Sequence, residues 1–244
     1  MRIRVRVFSL VKEGNTLDEY EDAVGYALQK RRFAIADGAT ESSFAKPWAQ
    51  LLVDGFLRKP PSKEPFWKWV RPLQKEWFQG IKWDSLKWYA KEKAQTGAFS
   101  TLLGLELFGT RNICWRALAI GDSCMFVFRN GALLSSFPVS ETREFNNVPT
   151  LVPSISSRGV PKPKLARGAC RKNDLIVIAT DAISQWILCS HQSRDAVLEQ
   201  LLSLHTDYDF QSLIGELRSN GRIKNDDTTV MLIEVGRNAM AKFG

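Results

Sequence analysis

Phe33-Ala34-Ile35-Ala36-Asp37-Gly38 is an apolar run that stops at an aspartate and a glycine. The arrangement returns at Ala117-Leu118-Ala119-Ile120-Gly121-Asp122-Ser123 and at Leu175-Ile176-Val177-Ile178-Ala179-Thr180-Asp181-Ala182. Two acidic pairs stand at the other kind of boundary. Asp226-Asp227 precedes Thr229-Val230-Met231-Leu232-Ile233, and Glu21-Asp22 precedes Ala23-Val24-Gly25-Tyr26-Ala27. Short aliphatic runs are the pattern of strands buried on both faces. Aspartate forms strands poorly, and a carboxylate beside buried backbone is costly unless something neutralises it. One such residue ordinarily caps a turn. Five sites, all at strand boundaries, predict strand ends that gather carboxylates into one place. Like charges that close raise one another's pKa values unless cations intervene.

Working outward, the pattern predicts strands over 2–8, 23–29, 31–36, 99–108, 112–120, 123–129, 132–137, 174–180 and 228–235, with a tight hairpin turn at Arg129-Asn130-Gly131. Phe44, Trp48, Leu51, Leu52 and Phe56 share one face of a helix over 43–57. A second helix is expected from a Ser62 cap through Phe66, Val70, Leu73, Trp77 and Ile81. Pro72 should kink or interrupt it, and 83–94 should continue it. Val197, Leu198, Leu201 and Leu202 mark a third helix. Phe210, Leu213, Ile214 and Leu217 mark a fourth, ending at Asn220-Gly221. The tryptophan-rich stretch 66–89 has helical spacing and reads as core packing against a sheet. Strands, two helices, strands, two helices and a last strand favour mostly antiparallel sheets with helices on their outer faces.

No repeat, low-complexity tract or long linker divides the chain, so residues 1–244 read as one domain. No apolar run reaches the ~18 residues of a membrane helix. The N-terminal alternation of arginine with aliphatic residues reads as a strand, not a secretory leader. Cys114, Cys124, Cys170 and Cys189 lack CxxC spacing, which argues against a zinc site or a disulfide frame, and the expected setting is the cytoplasm. The net charge of +8 comes from scattered cations that no nucleic-acid motif organises.

Hard oxygen ligands without histidine select magnesium or manganese over zinc. The histidines, His191 and His205, lie far in sequence from the acids, next to or within the third predicted helix. Two ions held by carboxylates lower the pKa of a shared water and orient it for in-line attack on phosphorus. That chemistry needs no protein nucleophile. It suits a chain without GxSxG, Cys/His pairing, a Walker loop or HExxH, in which Ser123 and Ser100-Thr101 read as structural.

These motifs resemble the metal-dependent protein phosphatases of type 2C, from about Tyr20 to Val235. Glu21-Asp22-Ala23, Ala36-Asp37-Gly38, Gly97-Ala98-Phe99-Ser100-Thr101, Gly121-Asp122-Ser123, Ala179-Thr180-Asp181-Ala182 and Asn225-Asp226-Asp227-Thr228-Thr229 follow in that family's order. The resemblance implies an α+β fold, a four-layer αββα sandwich of two mostly antiparallel sheets flanked by helix pairs. It implies two Mg2+ or Mn2+ ions, with a third, weaker position. Asp37 would bridge the two, Asp181 and Asp226 would complete one shell, and the Gly38 carbonyl with Glu21 or Asp22 would serve the other. Asp122 would hold the third ion or support the ligands from behind, as Asp227 would. Asp37 and Asp181 would act in catalysis through metal-bound water. The implied substrate is a phosphoserine or phosphothreonine protein, the product of a cognate kinase. The alternative is a catalytically weak or silent phosphoprotein-binding module on the same fold. Three positions depart from the family: Ala39 where some members carry a general-acid histidine, Leu17 where many carry a phosphate-binding arginine, and Ala182 in place of glycine. Lys12 is one candidate to replace that arginine. The proline-rich stretch 138–168 occupies the place of the family's flap, and its Arg143, Arg158, Lys162 and Lys164 are candidates to meet a phosphopeptide.

Overall fold

The computed structural model describes residues 2–40, 42–61, 64–145, 149–193 and 195–236. Strands β1 (Arg2–Leu10), β2 (Ala23–Ala27) and β3 (Arg32–Ala36) lead into helices α1 (Ala45–Arg58), α2 (Phe66–Gly80) and α3 (Trp88–Gln95). Then come β4 (Phe99–Ser100), β5 (Leu102–Phe108), β6 (Ile113–Ile120), β7 (Cys124–Arg129), β8 (Ala132–Phe137), β9 (Val152–Pro153), β10 (Lys164–Cys170) and β11 (Leu175–Ala179). Helices α4 (Asp181–Gln192), α5 (Val197–Leu202) and α6 (Asp207–Ser219) precede β12 (Thr228–Gly236).

Two five-stranded antiparallel sheets form, in the orders β1-β12-β11-β7-β8 and β10-β6-β5-β3-β2. Period-two alternation divides each strand between two cores. Phe33, Ile35, Leu103, Leu105, Met125, Val127, Ile176 and Met231 meet between the sheets. The opposite faces of β7, β11 and β12 send Phe126, Val177 and Leu232 against Ile183, Trp186, Phe210 and Ile214 of α4 and α6. Leu102, Leu118 and Ile120 pack on Trp48, Leu52, Val70 and Trp77 of α1 and α2. The result is the expected α+β sandwich of four layers, αββα. Each outer layer holds a long pair of helices and a short third one, rather than a pair alone. No helix among the described residues is long and apolar enough to cross a membrane.

The hairpin turn forms at Asn130-Gly131, both at positive φ, the two-residue geometry that suits the strand twist. Four expectations change. The strand read over 99–108 breaks at Thr101, because β4 pairs with β9 whereas β5 pairs with β3. Pro72 neither ends α2 nor divides it; the stripe Phe66, Val70, Leu73 and Trp77 is anchored along the whole helix and outweighs one lost hydrogen bond. The stretch 83–94 is a separate element, since the chain leaves the helix at Ile81 and makes a short 3-10 turn at Trp83–Ser85 before α3. The expected Ser62 cap lies outside the described residues, and Pro65 stands at the N-cap of α2. Three elements escaped the pattern altogether. One is α4, whose His191 belongs to its last turn; His205 precedes α6. The others are β9, inside the stretch read as a loop, and β10, which begins in it.

Close packing of α1 on its sheet depends on Gly104, where an added Cβ would stand 2.2 Å from Cε2 of buried Phe56. Gly104→Ala is therefore expected to destabilise the fold by about 1–3 kcal/mol through overpacking. Adding Phe56→Leu should restore part of that loss, as read from urea midpoints; additive losses would contradict the contact.

Candidate metal centre

Strand register alone brings the acidic boundaries to one rim. Ala36, at the end of β3, pairs with Ala23 at the start of β2, so Asp37 and Asp22 are neighbours. Ala179, at the end of β11, pairs with Cys124 at the start of β7 and with Val230 near the start of β12. Asp181, Asp122 and Asp226 therefore leave adjacent strands of the other sheet on the same side. Burial, then the fields of Asp22, Asp181, Asp226 and Asp122, hold the Asp37 carboxyl well above its ordinary range. Burial and then Asp226 raise Asp181. Burial and Asp181 push Asp122 up to about 6. The separated aspartates lie within reach of one another's fields.

Hydrogen bonds set each one in place. The Asp37 carbonyl accepts from Thr101 N–H at 2.8 Å and Ser100 Oγ at 2.8 Å, and Asp37 N–H donates to Thr101 Oγ1 at 2.9 Å. Thr101 Oγ1 also lies 2.8 Å from Ser123 Oγ, tying the Gly121-Asp122-Ser123 turn to the end of β3. Ser100, Thr101 and Ser123 are thus structural, as read from sequence. Ala39 N–H bonds the Phe99 carbonyl, which leaves Gly38 in a wide pair opposite Ser100. In such a pair the carbonyl points away from the neighbouring strand. A Cβ on Gly38 would stand 2.9 Å from the Glu21 carbonyl and 3.0 Å from the Ala45 Cβ, so only glycine fits.

Asp22 is buried. Its Oδ2 accepts from Thr229 Oγ1 at 2.6 Å and Thr180 Oγ1 at 3.1 Å, and the Tyr20 hydroxyl bonds Thr229 Oγ1 in turn. Its Oδ1 has no partner among the described residues, and neither does buried Oδ1 of Asp122. Burial lifts the Asp22 carboxyl to about 8 against the hydroxyl hydrogen bonds that oppose the shift. Glu21 is half-buried and also raised, by burial first. Asp227 turns its two oxygens to backbone, Oδ1 to Lys12 N–H at 2.8 Å and Oδ2 to Glu21 N–H at 2.7 Å. It positions Glu21 from behind. Arg218 Nη2 holds the Asp226 carbonyl at 2.6 Å, and Asp181 opens α4, where the helix dipole favours its charge.

Among the described residues, no three acidic, histidine or cysteine side chains already stand together as an ion cage. Repulsion opposes drawing carboxylates into ligating range without a cation. The donor set still fits one kind of guest. It consists of carboxylates and a carbonyl turned away from its neighbouring strand, two carboxylate oxygens are buried without partners among the described residues, and no imidazole belongs to it. Such hard oxygens suit magnesium or manganese.

No family model and no curated protein sequence matches the chain. Solved structures do. The catalytic domain of the serine/threonine protein phosphatase PstP, crystallised with two manganese ions, superposes with a TM-score of 0.62 at 17% identity, over 96% of this chain and 99% of that one. PppA of Pseudomonas aeruginosa, described as a key regulatory component of T6SS, gives 0.59 at 18% identity over 96% and 98%. A serine/threonine phosphatase of Staphylococcus aureus gives 0.63 at 15% identity over 97% and 96%.

The chain has the type 2C phosphatase fold. On that fold its three departures take physical form. Leu17 is 77% exposed, and the Lys46 ammonium donates to its carbonyl at 3.2 Å. Lys12 contributes its backbone N–H to Asp227. Lys224 is the cation whose field reaches both Asp122 and Asp181, and Lys93 reaches Glu21. Ala182 is buried, and its N–H bonds Asp181 Oδ1 at 2.6 Å, so the methyl group in place of glycine is absorbed by the core. The stretch 138–168 is pinned where it crosses the type 2C core: Trp48 Nε1 bonds the Val152 carbonyl at 2.8 Å, and Gln74 Nε2 the Pro153 carbonyl at 2.9 Å. Lys162 and Lys164 line a cavity of about 170 Å³ with Asp122, whereas Arg143 pairs with Glu141 and Arg158 lies over the Phe99 ring. Thr180, Thr229 and Lys224 were missed from sequence. The threonines stood inside quoted motifs, but only tertiary contact turns them toward Asp22.

The lifted carboxyls carry a sign. Folded Asp22 keeps a proton that the unfolded chain releases near 3.8, so its contribution to stability is full below that pH and is lost as pH rises through about 8. In chelator, the urea midpoint of the wild type should fall between pH 5 and pH 8 more steeply than that of Asp22→Asn. Manganese should raise the wild-type midpoint at pH 8. Parallel pH curves for the two proteins would contradict the assignment.

Proposed function

We propose that this chain is a metal-dependent phosphatase that hydrolyses phosphoserine and phosphothreonine in proteins. The supporting observation is that Asp37 lies in the combined field of Asp22, Asp122, Asp181 and Asp226, in a site of hard oxygens alone. The manganese pair in PstP, on the same fold, accords with it. In this reading Asp37, Asp181 and Asp226 hold one ion. Asp37, the Gly38 carbonyl and Glu21 or Asp22 would hold the second, Thr180 and Thr229 locking one Asp22 oxygen while the other has no partner among the described residues. Asp122 marks a third position. When bound, the ions supply the charge that neutralises the phosphoryl group and acidifies a water. The chain positions the acids and, through Lys224, offers a cation to the phosphate. Ala39 carries no proton, so no protein acid at that position assists the leaving group. The four free thiols accord with a reducing cytoplasmic setting.

Phosphate release from a phosphothreonine peptide should require manganese or magnesium and stop with chelator. Asp37→Asn and Asp181→Asn should each cost at least roughly a thousandfold in kcat, a loss of about 4 kcal/mol of transition-state stabilisation. Wild-type turnover in either variant would remove the bridging role. Lys224→Met should raise KM roughly fivefold with little change in kcat, as expected for an exposed charge-assisted contact. Exposed Leu17 and Ala39 favour one alternative, a phosphoprotein-binding module. Calorimetry that shows phosphopeptide binding without phosphate release, under every divalent ion, would establish that alternative.

A further inference from the structure

The helices on the β10-β6-β5-β3-β2 sheet leave part of it bare. α1 lies over β2, β3 and β5. The outward row Ala34, Gly104, Leu118 and Leu165 crosses β3, β5, β6 and β10 in register. Ala34 and Leu118 are buried, whereas Leu165 on the edge strand is 73% exposed. A groove of about 610 Å³ opens there, between Phe56, Pro60 and Pro61 on the helix side and β10 on the other.

One row along, Arg32, Glu106, Arg116 and Arg167 face one another across the same four strands. Glu106 accepts from Arg32 Nε at 3.2 Å and from Arg116 Nε at 2.6 Å, so both its oxygens are engaged. Arg32 also ties down the end of α1 through the Leu57 and Arg58 carbonyls. Arg167 is exposed directly opposite Arg116, and no carboxylate among the described residues pairs with it. Like charges directly opposite one another in a sheet are destabilising. Two guanidiniums share one carboxylate, and the third has none among the described residues.

β10 is also the outermost strand of its sheet, so one side of its backbone has no neighbouring strand. Charges alone would serve to keep such an edge from pairing. Here the unmatched arginine stands beside an apolar groove and a free strand edge, and the three together fit one ligand class. We propose that β10 is a docking edge for an extended acidic segment of a partner protein. The segment adds as a further strand, with a carboxylate opposite Arg167 and, two residues away, an apolar side chain in the groove beside Leu165. A lipid headgroup would answer the guanidiniums but leave the strand edge unpaired. Arg32 and Arg116 each stand five residues before the acidic rim, at Asp37 and Gly121 respectively. At strand rise that is about 16 Å, so the carboxylate contact at Arg167, opposite Arg116, lies away from the acidic rim.

The test reads binding, not turnover, and is independent of the phosphatase reading. A fluorescein-labelled extended peptide whose glutamate and leucine stand two residues apart, separated and flanked by threonines, is titrated against the full chain by anisotropy, with a glutamine-for-glutamate peptide as control. Binding is expected to weaken at least about tenfold in Arg167→Glu, in the control peptide and at high salt. It should persist in chelator and in Asp37→Asn. Amide exchange of residues 164–170 should slow on binding, a change that a purely ionic contact would not produce. Thermal unfolding of Arg167→Glu, an exposed position, confirms that the variant is folded. No binding, equal affinity for wild type and Arg167→Glu, or unaltered exchange in β10 would overturn the proposal. Preference for phosphatidylserine vesicles over the peptide would overturn it as well.

Discussion

Aspartates that lie in one another's field at the rim of a sandwich are held there against their mutual repulsion, and this constraint organises the molecule. Asp37 feels four other acids, and Asp22 is buried with one oxygen unpartnered. Such a group settles only if it keeps its proton, gains hydrogen bonds or meets a cation. The fold supplies the second remedy in part, through Thr180 and Thr229 on one oxygen of Asp22, with Tyr20 behind Thr229, and through backbone N–H groups on Asp227. The third is left to a guest.

The sandwich bears that strain because the central strands of both sheets are sealed on two faces. The core between the sheets fixes the register, and register decides which strand ends are neighbours. A slip of one residue in β3 would turn Phe33 and Ile35 away from that core and carry Asp37 off the rim. The aliphatic runs before the acids and the acids themselves therefore form one structural unit. Small residues complete it: Gly38 against the Glu21 carbonyl, and Gly121, at positive φ, against Thr101.

Most strands were legible because continuous aliphatic runs ended at unmistakable breaks. The misses share a cause. In β10, Lys-Leu-Ala-Arg-Gly-Ala-Cys has one exposed face and an open edge, so it lacks the aliphatic density that marks a central strand. Helix α4 begins at Asp181 itself, so a motif read as a strand end concealed a helix start. At Pro72, the penalty read locally was outweighed by packing along α2. The acids of the site were visible as residue types at boundaries. Thr180, Thr229, Lys224 and the arginine row on the outer sheet were not, because nothing local distinguishes them from ordinary polar residues.

The sequence by itself determined which strands would be buried, that their ends carry carboxylates, and that no histidine or thiol joins them. Those facts follow from periodicity and side-chain chemistry, which act over a few residues. Only the tertiary structure decided that Asp22 faces inward to two threonines while Asp227 turns to backbone, and that the field of Lys224 reaches Asp122 and Asp181. It also decided that Arg167 stands opposite Arg116 with no acid of its own among the described residues. These are outcomes of pairing between segments up to about two hundred residues apart. Strand register and burial select such neighbours only after the chain has folded.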